Sequence, residues 1–265
     1  RELPAELPVL PLRDNVAFPA MVLPLHVQGE ERLNMIEEII MGDKLFLALT
    51  AREDVYLYDE TPTPDKLNTM GTACVVLQML RMPDGSVRFL AQGLTRSRVK
   101  HFTETDPNLR AAVEHLDEEV PDDVETTALA RNLREQFGEM LGQLPNVGDQ
   151  VRVALANIEE PGALCDLVAS NLNISYQEKQ DILETLNVKE RLRKTTKLLA
   201  RESEFVEVAQ RIQSEAKSEI DKTQREYYLR QQLKAIQDEL GEGEDKAEVE
   251  ELREQLEEKD LPEEV

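Results

Sequence analysis

The chain has 265 residues, enough for about two domains at the usual scale of roughly 150 residues each, and enough to bury a sizeable core. Apolar residues make up 40%, charged residues 32% and aromatics 4%, with no tryptophan. Lysine and arginine number 31 against 54 aspartates and glutamates, a net charge of −23 that repels phosphate backbones and argues against nucleic acid as a partner for the chain as a whole.

No apolar run approaches the ~18 residues that span a bilayer, so no membrane partner is expected. The opening Arg1-Glu2-Leu3-Pro4 lacks the apolar core of a signal peptide. Cys74 and Cys165 form no CxxC pair, the usage of a reduced, intracellular protein. The first residue is not methionine and the end, Leu261-Pro-Glu-Glu-Val265, has no natural tail, so a piece of a longer protein is expected.

In chain order, the first ~116 residues read as mixed β structure with one helix. Leu7 to Leu12 is a short apolar run interrupted by Pro8 and Pro11, which predicts an edge strand rather than a central one. Met21 to Val27 is a second apolar run with Pro24 inside it. Glu30 to Met41 carries Leu33, Ile36, Ile39 and Ile40 at helical spacing and is stopped by Gly42. Leu45 to Thr50 reads as a buried strand, and Thr61-Pro-Thr-Pro-Asp65 as a loop. Thr72 to Met82 and Ser86 to Phe102 flank Pro83-Asp84-Gly85, a hairpin whose Asp-Gly pair favours the positive φ angles of a tight turn. In its second arm Val87, Phe89 and Ala91 alternate with Arg88, Leu90 and Gln92, which leaves Leu90 apolar on the otherwise polar face.

From Asp122 the pattern is helical almost to the end. Asp122 with Glu125, Ser175 with Glu178 and Asn187 with Glu190 each fit a cap followed three residues later by glutamate, and Pro161 fits a first helical turn. Leu129, Leu133, Phe137, Met140 and Leu141 make one stripe; Leu164, Leu167, Val168 and Leu172 make another. Val188, Leu192, Thr195, Leu199, Val206, Ala209 and Ala216 keep 4–3 spacing on a helix with no breaker until Leu240. Between Gln213 and Glu226 only Ala216 and Ile220 are apolar, so that stretch must bridge between bodies or lean on another subunit. Gly241-Glu-Gly243 breaks it, and Val249, Leu252 and Leu256 begin a shorter helix. Net charge by segment is −5 over 1–116, −9 over 117–176, +2 over 177–236 and −11 over 237–265, the pattern of a solvated helix followed by an acidic one.

Catalytic motifs are missing from the sequence. It has no Gly-Lys dipeptide and so no phosphate-cradling loop, no GxSxG elbow, no HExxH and no glycine-rich dinucleotide fingerprint. His26, His101 and His115 have no cysteine or acidic partner at ligand spacing, so no metal site and no catalytic residue is expected. Glu118-Glu119 and Asp122-Asp123 read as linker charges and helix-start residues. Asn173-Ile-Ser175 matches a glycosylation acceptor, incidental in an intracellular chain.

Leu7-Pro-Val-Leu-Pro-Leu-Arg-Asp14, Phe18-Pro19, Leu23-Pro-Leu25, Leu80-Arg-Met-Pro-Asp-Gly85 and Gly93-Leu-Thr-Arg96 resemble the amino-terminal domain of bacterial Lon proteases. Glu178-Lys-Gln-Asp-Ile-Leu-Glu-Thr-Leu186 and the long run from Gln224-Arg-Glu-Tyr-Tyr-Leu229 to Gly241 are similar to the helical region of the same family. The resemblance implies an α+β fold: a β-rich PUA-like lobe over 1–118, an all-helical lobe over 119–187, a very long helix or coiled coil over 188–240, and the start of a further acidic segment over 241–265. It implies a parent that is a cytoplasmic, homohexameric, ATP-dependent serine peptidase acting on misfolded and regulatory proteins. The nucleotide module, with its ATP and magnesium, and the Ser-Lys dyad would follow Val265, leaving no cofactor for this segment.

A receptor for unfolded chains needs exposed apolar surface. The candidates are Leu12, Met21 and Pro24, in proline-interrupted segments, and Leu90. The plainer alternative packs Leu12 and Met21 in the core and Leu90 under the helical lobe. Tyr227, Tyr228 and Leu229 are candidates for packing on a neighbouring subunit or on the ATPase module, against a hairpin folded back on its own helices. Two other classes stay open: a spacer and assembly element that substrates ignore, and a small-ligand or nucleic-acid module by fold analogy, with Arg88, Arg96, Arg98 and Lys100 as its basic stretch.

Overall fold

The strand built on Leu7-Pro-Val-Leu-Pro-Leu12 lies inside the sheet, not at its edge. Glu6–Leu12 (β1) pairs in parallel with Leu45–Thr50 (β3) on one side and antiparallel with Arg110–His115 (β6) on the other. Both prolines are tolerated because backbone N–H groups alternate sides along a strand. Val9 N donates towards β6, to Leu109 O at 2.8 Å. The nitrogen of Pro11 therefore also faces β6, beyond the last pair at Pro8 and Arg110. The nitrogen of Pro8 faces β3, one residue before that ladder begins at Val9 and Leu47. Each missing donor falls just off the end of the ladder it faces.

The computed structural model describes residues 3–52, 63–144, 149–239, 249 and 251–252. Arg1–Glu204 form one compact unit and Phe205–Val265 a second. In the first, Val22–Val27 (β2) is followed by the helix Glu30–Met41 (α1), whose Met35, Ile36 and Ile39 join the barrel core. A 3₁₀ turn, Pro64–Lys66, occupies the described part of the predicted loop; Thr61 and Pro62 lie outside the described residues. Met70–Arg81 (β4) and Val87–Glu104 (β5) form the predicted hairpin, with Gly85 at φ 83° and the Asp84 carboxylate accepting from Ser86 N at 2.9 Å. The 18-residue β5 pairs with β2 over Val87–Gln92, with β4 over Val87–Arg98 and with β6 over Ser97–Glu104. The order β5-β4-β3-β1-β6 thereby closes on itself, and β2 is bonded on one side only. Phe46 and Phe89 meet edge to face inside, centroids 6.1 Å apart.

The helical lobe comprises Val124–Gln143 (α2), Asp149–Asn157 (α3), Pro161–Asn171 (α4), Tyr176–Glu184 (α5) and the start of Val188–Glu239 (α6). Ser175 and Glu178 form the expected capping box, Asn187 Oδ1 accepts from Glu190 N at 3.1 Å, and Pro161 sits in the first turn of α4. The cap of α2 is Asp123, one residue later than predicted, accepting from Thr126 N at 2.7 Å. Glu125, expected to close a capping box, pairs with Lys189 and Arg193 instead. The predicted stripes Leu133–Phe137–Met140–Leu141 and Leu164–Leu167–Val168–Leu172 form one core with Val188, Leu192 and Leu199 of α6. In the second unit, every described α6 residue from Phe205 is exposed except half-buried Val206. Leu240, Gly241–Gly243 and Leu256 lie outside the described residues; Val249 and Leu252 are helical and exposed.

The two lobes of the first unit are joined by a buried ionic cluster. Arg96, in the middle of β5 and 1% exposed, donates through Nη1 and Nη2 to the Asp166 carboxylate of α4 at 2.9 and 2.6 Å, and through Nε to Leu183 O at 2.9 Å. Its Nη1 also reaches Glu118 Oε1 at 2.5 Å, an oxygen shared with Arg191 Nη1 at 2.7 Å. Arg191 Nε donates to Thr185 O at 2.7 Å. A Cβ at Gly162 would lie 2.0 Å from Oε2 of Glu118, whose other oxygen these arginines hold, so any larger residue there has to displace that carboxylate. Glu118, read from sequence as a linker charge, is the bridge between the arginines. Burial pushes the Asp166 carboxyl up against the pull of Arg96 and Arg191.

Two stability predictions follow from these contacts. Arg96→Ala strands a buried carboxylate and is expected to cost about 3–5 kcal/mol in urea unfolding followed by far-UV circular dichroism. Arg96→Met combined with Asp166→Leu leaves the balanced Glu118–Arg191 pair and is expected to cost much less. At the surface, the Thr126 N–H and Lys189 hold the Asp123 carboxyl at about 2. A folded value below the unfolded one gives stability that is complete above about pH 4 and lost as pH falls towards 2. Asp123→Asn keeps an acceptor but no charge, so melting temperatures between pH 4 and 2 are expected to fall less steeply than in the parent.

Candidate functional site

The first half of β5 carries the site because it is flanked by β2 and β4 outside the closed barrel. Its odd-numbered residues Val87, Phe89 and Ala91 are buried, while Arg88 and Leu90 are exposed. Leu90 lies directly opposite Pro24 of β2 on one side and Gln78 of β4 on the other; Arg88 lies opposite His26 and Leu80. Pro24 and Leu90, chosen separately from the sequence, are therefore cross-strand partners on one outward face. A cavity of about 430 Å³ opens beside Pro24, His26, Leu80, Arg88 and Leu90. Sequence reading missed Val22, Leu77 and Leu80, all more than half exposed. The phase of Leu80 follows from the register that the Asp84-Gly85 turn imposes. Leu77 is turned outward by a register shift between Val76 and Gln78 that alternation does not reveal.

The other candidates lie elsewhere. Leu12 is 6% exposed, packed in the hydrophobic core of the β-rich lobe where its strand pairs with β3. It offers no surface to a ligand. Met21, at the foot of β2, is half-buried against the helical-lobe core and against the cluster in which Val16 and Phe18 meet Ala169, Ile182 and Leu183. It lines a cleft of about 670 Å³ between β2 and the α3–α4 face. Tyr227, Tyr228 and Leu229 are all exposed on α6, and at 100° per residue they spread around the helix rather than along one stripe. The basic stretch does not act as a unit: Arg96 is consumed in the interlobe cluster, while Arg88, Arg98 and Lys100 stay exposed.

His115 is fixed between Ser97 Oγ at 2.8 Å and Pro4 O at 2.9 Å, whereas His26 and His101 are exposed. Among the described residues no His, Cys, Asp and Glu cluster suits a metal ion, and no helix is long and apolar enough to cross a membrane.

Residues 6–201 match the ATP-dependent protease La (LON) substrate-binding domain. The chain belongs to this family. It is 43% identical to a Lon protease of Dictyoglomus thermophilum over 100% of this chain and 33% of that protein. It is also 41% identical to the Lon protease of Trichlorobacter lovleyi, over 99% of this chain and 32% of that protein. The chain thus spans about a third of the length of these relatives. The N-terminal domain of a Mycobacterium avium complex Lon protease shares the fold, with a TM-score of 0.61 at 20% identity over 74% of this chain and 98% of that one. The α+β class and the Lon likeness read from the sequence both hold.

Both cysteines of this Lon domain are buried and free. Burial pushes each thiol up to about 12, with Asp166 adding to the effect at Cys165. Neither is therefore a nucleophile in the folded chain. A chromogenic disulfide reagent at pH 8 is expected to leave both unmodified for hours in the native chain and to titrate both within minutes in 6 M guanidinium, measured by absorbance.

Proposed function

We propose that this domain is the part of an ATP-dependent serine protease that first engages unfolded or misfolded protein, through the outward face of β2-β5-β4. The observation that carries the reading is the Pro24–Leu90 pair, flanked by exposed Leu80, Leu77 and Val22 on one sheet surface. Apolar side chains displayed together are what an unfolded chain matches and a folded one hides. The ATPase module, with its ATP and magnesium, and the Ser-Lys peptidase module would receive what is bound here, in a cytoplasmic homohexamer.

Magnitudes set how such a surface works. Full burial of a large apolar side chain is worth about 1.5–3 kcal/mol, and these side chains are already partly covered. Association costs about 4–15 kcal/mol. A single copy therefore binds weakly, and several copies in one assembly hold a chain by raising effective concentration. A second reading, a spacer and oligomerisation element, is favoured by the exposed Tyr227, Tyr228 and Leu229 of α6.

The test is fluorescence anisotropy of one labelled protein, native and then permanently unfolded by cysteine alkylation. It is titrated with the parent chain and with the double variant Leu80→Ser, Leu90→Ser. Preference for the unfolded form is expected, weakened about tenfold or more in the variant, since 1.4 kcal/mol is a factor of ten. Equal or absent binding of both forms would overturn the receptor reading in favour of the spacer.

A further inference from the structure

The carbonyl of Met21 accepts from Gly93 N at 2.9 Å, which fixes the direction of every backbone group in β2. Because these groups alternate, those of Leu23, Leu25 and Val27 face β5, and those of Val22, Pro24 and His26 face away. The outward edge thus offers the N–H groups of Val22 and His26 and the carbonyls of all three. Among the described residues no strand pairs with that edge and no backbone hydrogen bond reaches it. Pro24 places its missing donor on this same side, where it costs the sheet nothing.

The open edge runs past both cavities. Its Val22 end borders the interlobe cleft opposite Val151 and Ala154 of α3, its His26 end borders the outer cavity, and Pro24 lines both. At about 3.3 Å per residue, the six residues of β2 give an edge of about 20 Å.

Charge narrows what fits. The chain carries a net −23, yet no carboxylate lines either cavity. The outer cavity has Arg88 and His26, and the cleft has Lys179. The Lys179 ammonium is half-buried, and among the described residues no carboxylate lies within 4 Å of it. The hydrogen bond it makes is to Ser170 O, at 3.5 Å. A desolvated cation held by one long contact is complementary to an arriving carboxylate.

We propose that an extended segment of a bound polypeptide adds to the free edge of β2 as a further strand, with an acidic side chain at Lys179. The proposal rests on the receptor reading above and gives its mode: main-chain hydrogen bonds supply affinity, and the two cavities select alternate side chains. Leu80 and Leu90 then act on the segment's side chains, whereas the β2 edge acts on its backbone.

The probe is a fluorescein-labelled octapeptide of alternating leucine and serine with one glutamate, followed by anisotropy up to millimolar chain. Two versions carry N-methyl groups on alternate amides, one set per edge of the peptide. A strand presents one edge to β2, so one methylated peptide is expected to lose tenfold or more and the other to bind like the parent. Glutamate→glutamine in the peptide is expected to weaken binding severalfold to the parent chain and not to Lys179→Met. Val22→Pro removes an outward N–H but none facing β5. It is expected to weaken binding with an unchanged circular dichroism spectrum.

An equal effect of the two methyl sets, tolerated or not, overturns strand addition. So does a peptide that fails to bind while unfolded protein still binds, and in both cases the receptor reading stands. Loss of peptide and unfolded-protein binding together removes the receptor reading as well.

Discussion

The buried cluster of Arg96, Asp166, Glu118 and Arg191 is the constraint on which the first compact unit depends. Arg96 comes from the barrel, Asp166 from α4, Arg191 from α6 and Glu118 from the connection between lobes, so each element contributes one charge to a balanced set of four. A purely apolar seam would tolerate sliding, because dispersion contacts are nearly isotropic. A bidentate guanidinium–carboxylate pair is not tolerant: its two parallel hydrogen bonds define an orientation as well as a distance. The cluster sets where α4 lies on the barrel, and thereby the width of the cleft between β2 and α3. Its value is positional, since replacing a buried ion pair by well-packed apolar residues is often close to neutral in net stability.

The same strand that supplies Arg96 to the seam supplies Leu90 to the surface. The two residues are six apart, an even number that alternation alone would put on one face. They point oppositely because the ladder slips between Ala73 and Cys74, opposite Thr95 and Gly93, which leaves Leu94 as the extra residue. One irregularity therefore lets a single strand turn an arginine towards the helical lobe at one end and serve as an apolar display at the other.

This explains which parts were legible in the sequence. The helix Glu30–Met41, the Asp84-Gly85 hairpin, the Ser175–Glu178 capping box and the 4–3 spacing from Val188 to Leu199 are local signals, and each forms where its periodicity or cap chemistry says. The outward placement of Leu90 was also legible, because alternation acts within a strand, and Pro24 lies opposite it. The features that depend on tertiary pairing were not. Pro8 and Pro11 argue for an edge until the register of both neighbouring strands is known. Glu118 looks like any other acid in an acidic linker until Arg96 and Arg191, 22 residues before it and 73 after it, converge on it. Leu77 needs the bulge. The burial of Leu12 depends on what packs over its face of β1, which no local pattern encodes.

Acidity and binding fit together on this reading. A net charge of −23 opposes self-association even though several large apolar side chains lie on one sheet face. The same charge would repel acidic segments of a bound chain if it extended into the cavities. Instead the carboxylates are excluded from both linings, and the cations there are Arg88 and Lys179. The long-range field of the domain therefore opposes casual association, while the short-range chemistry of the cleft and sheet face is apolar and weakly basic. Because exposed charges are screened beyond about 10 Å at 0.1 M salt, a segment that reaches the cleft responds to Lys179 and the free edge of β2, not to the net charge. Under the proposed strand addition, selection rests on backbone accessibility and apolar side chains, the two properties that distinguish an unfolded polypeptide from a folded one.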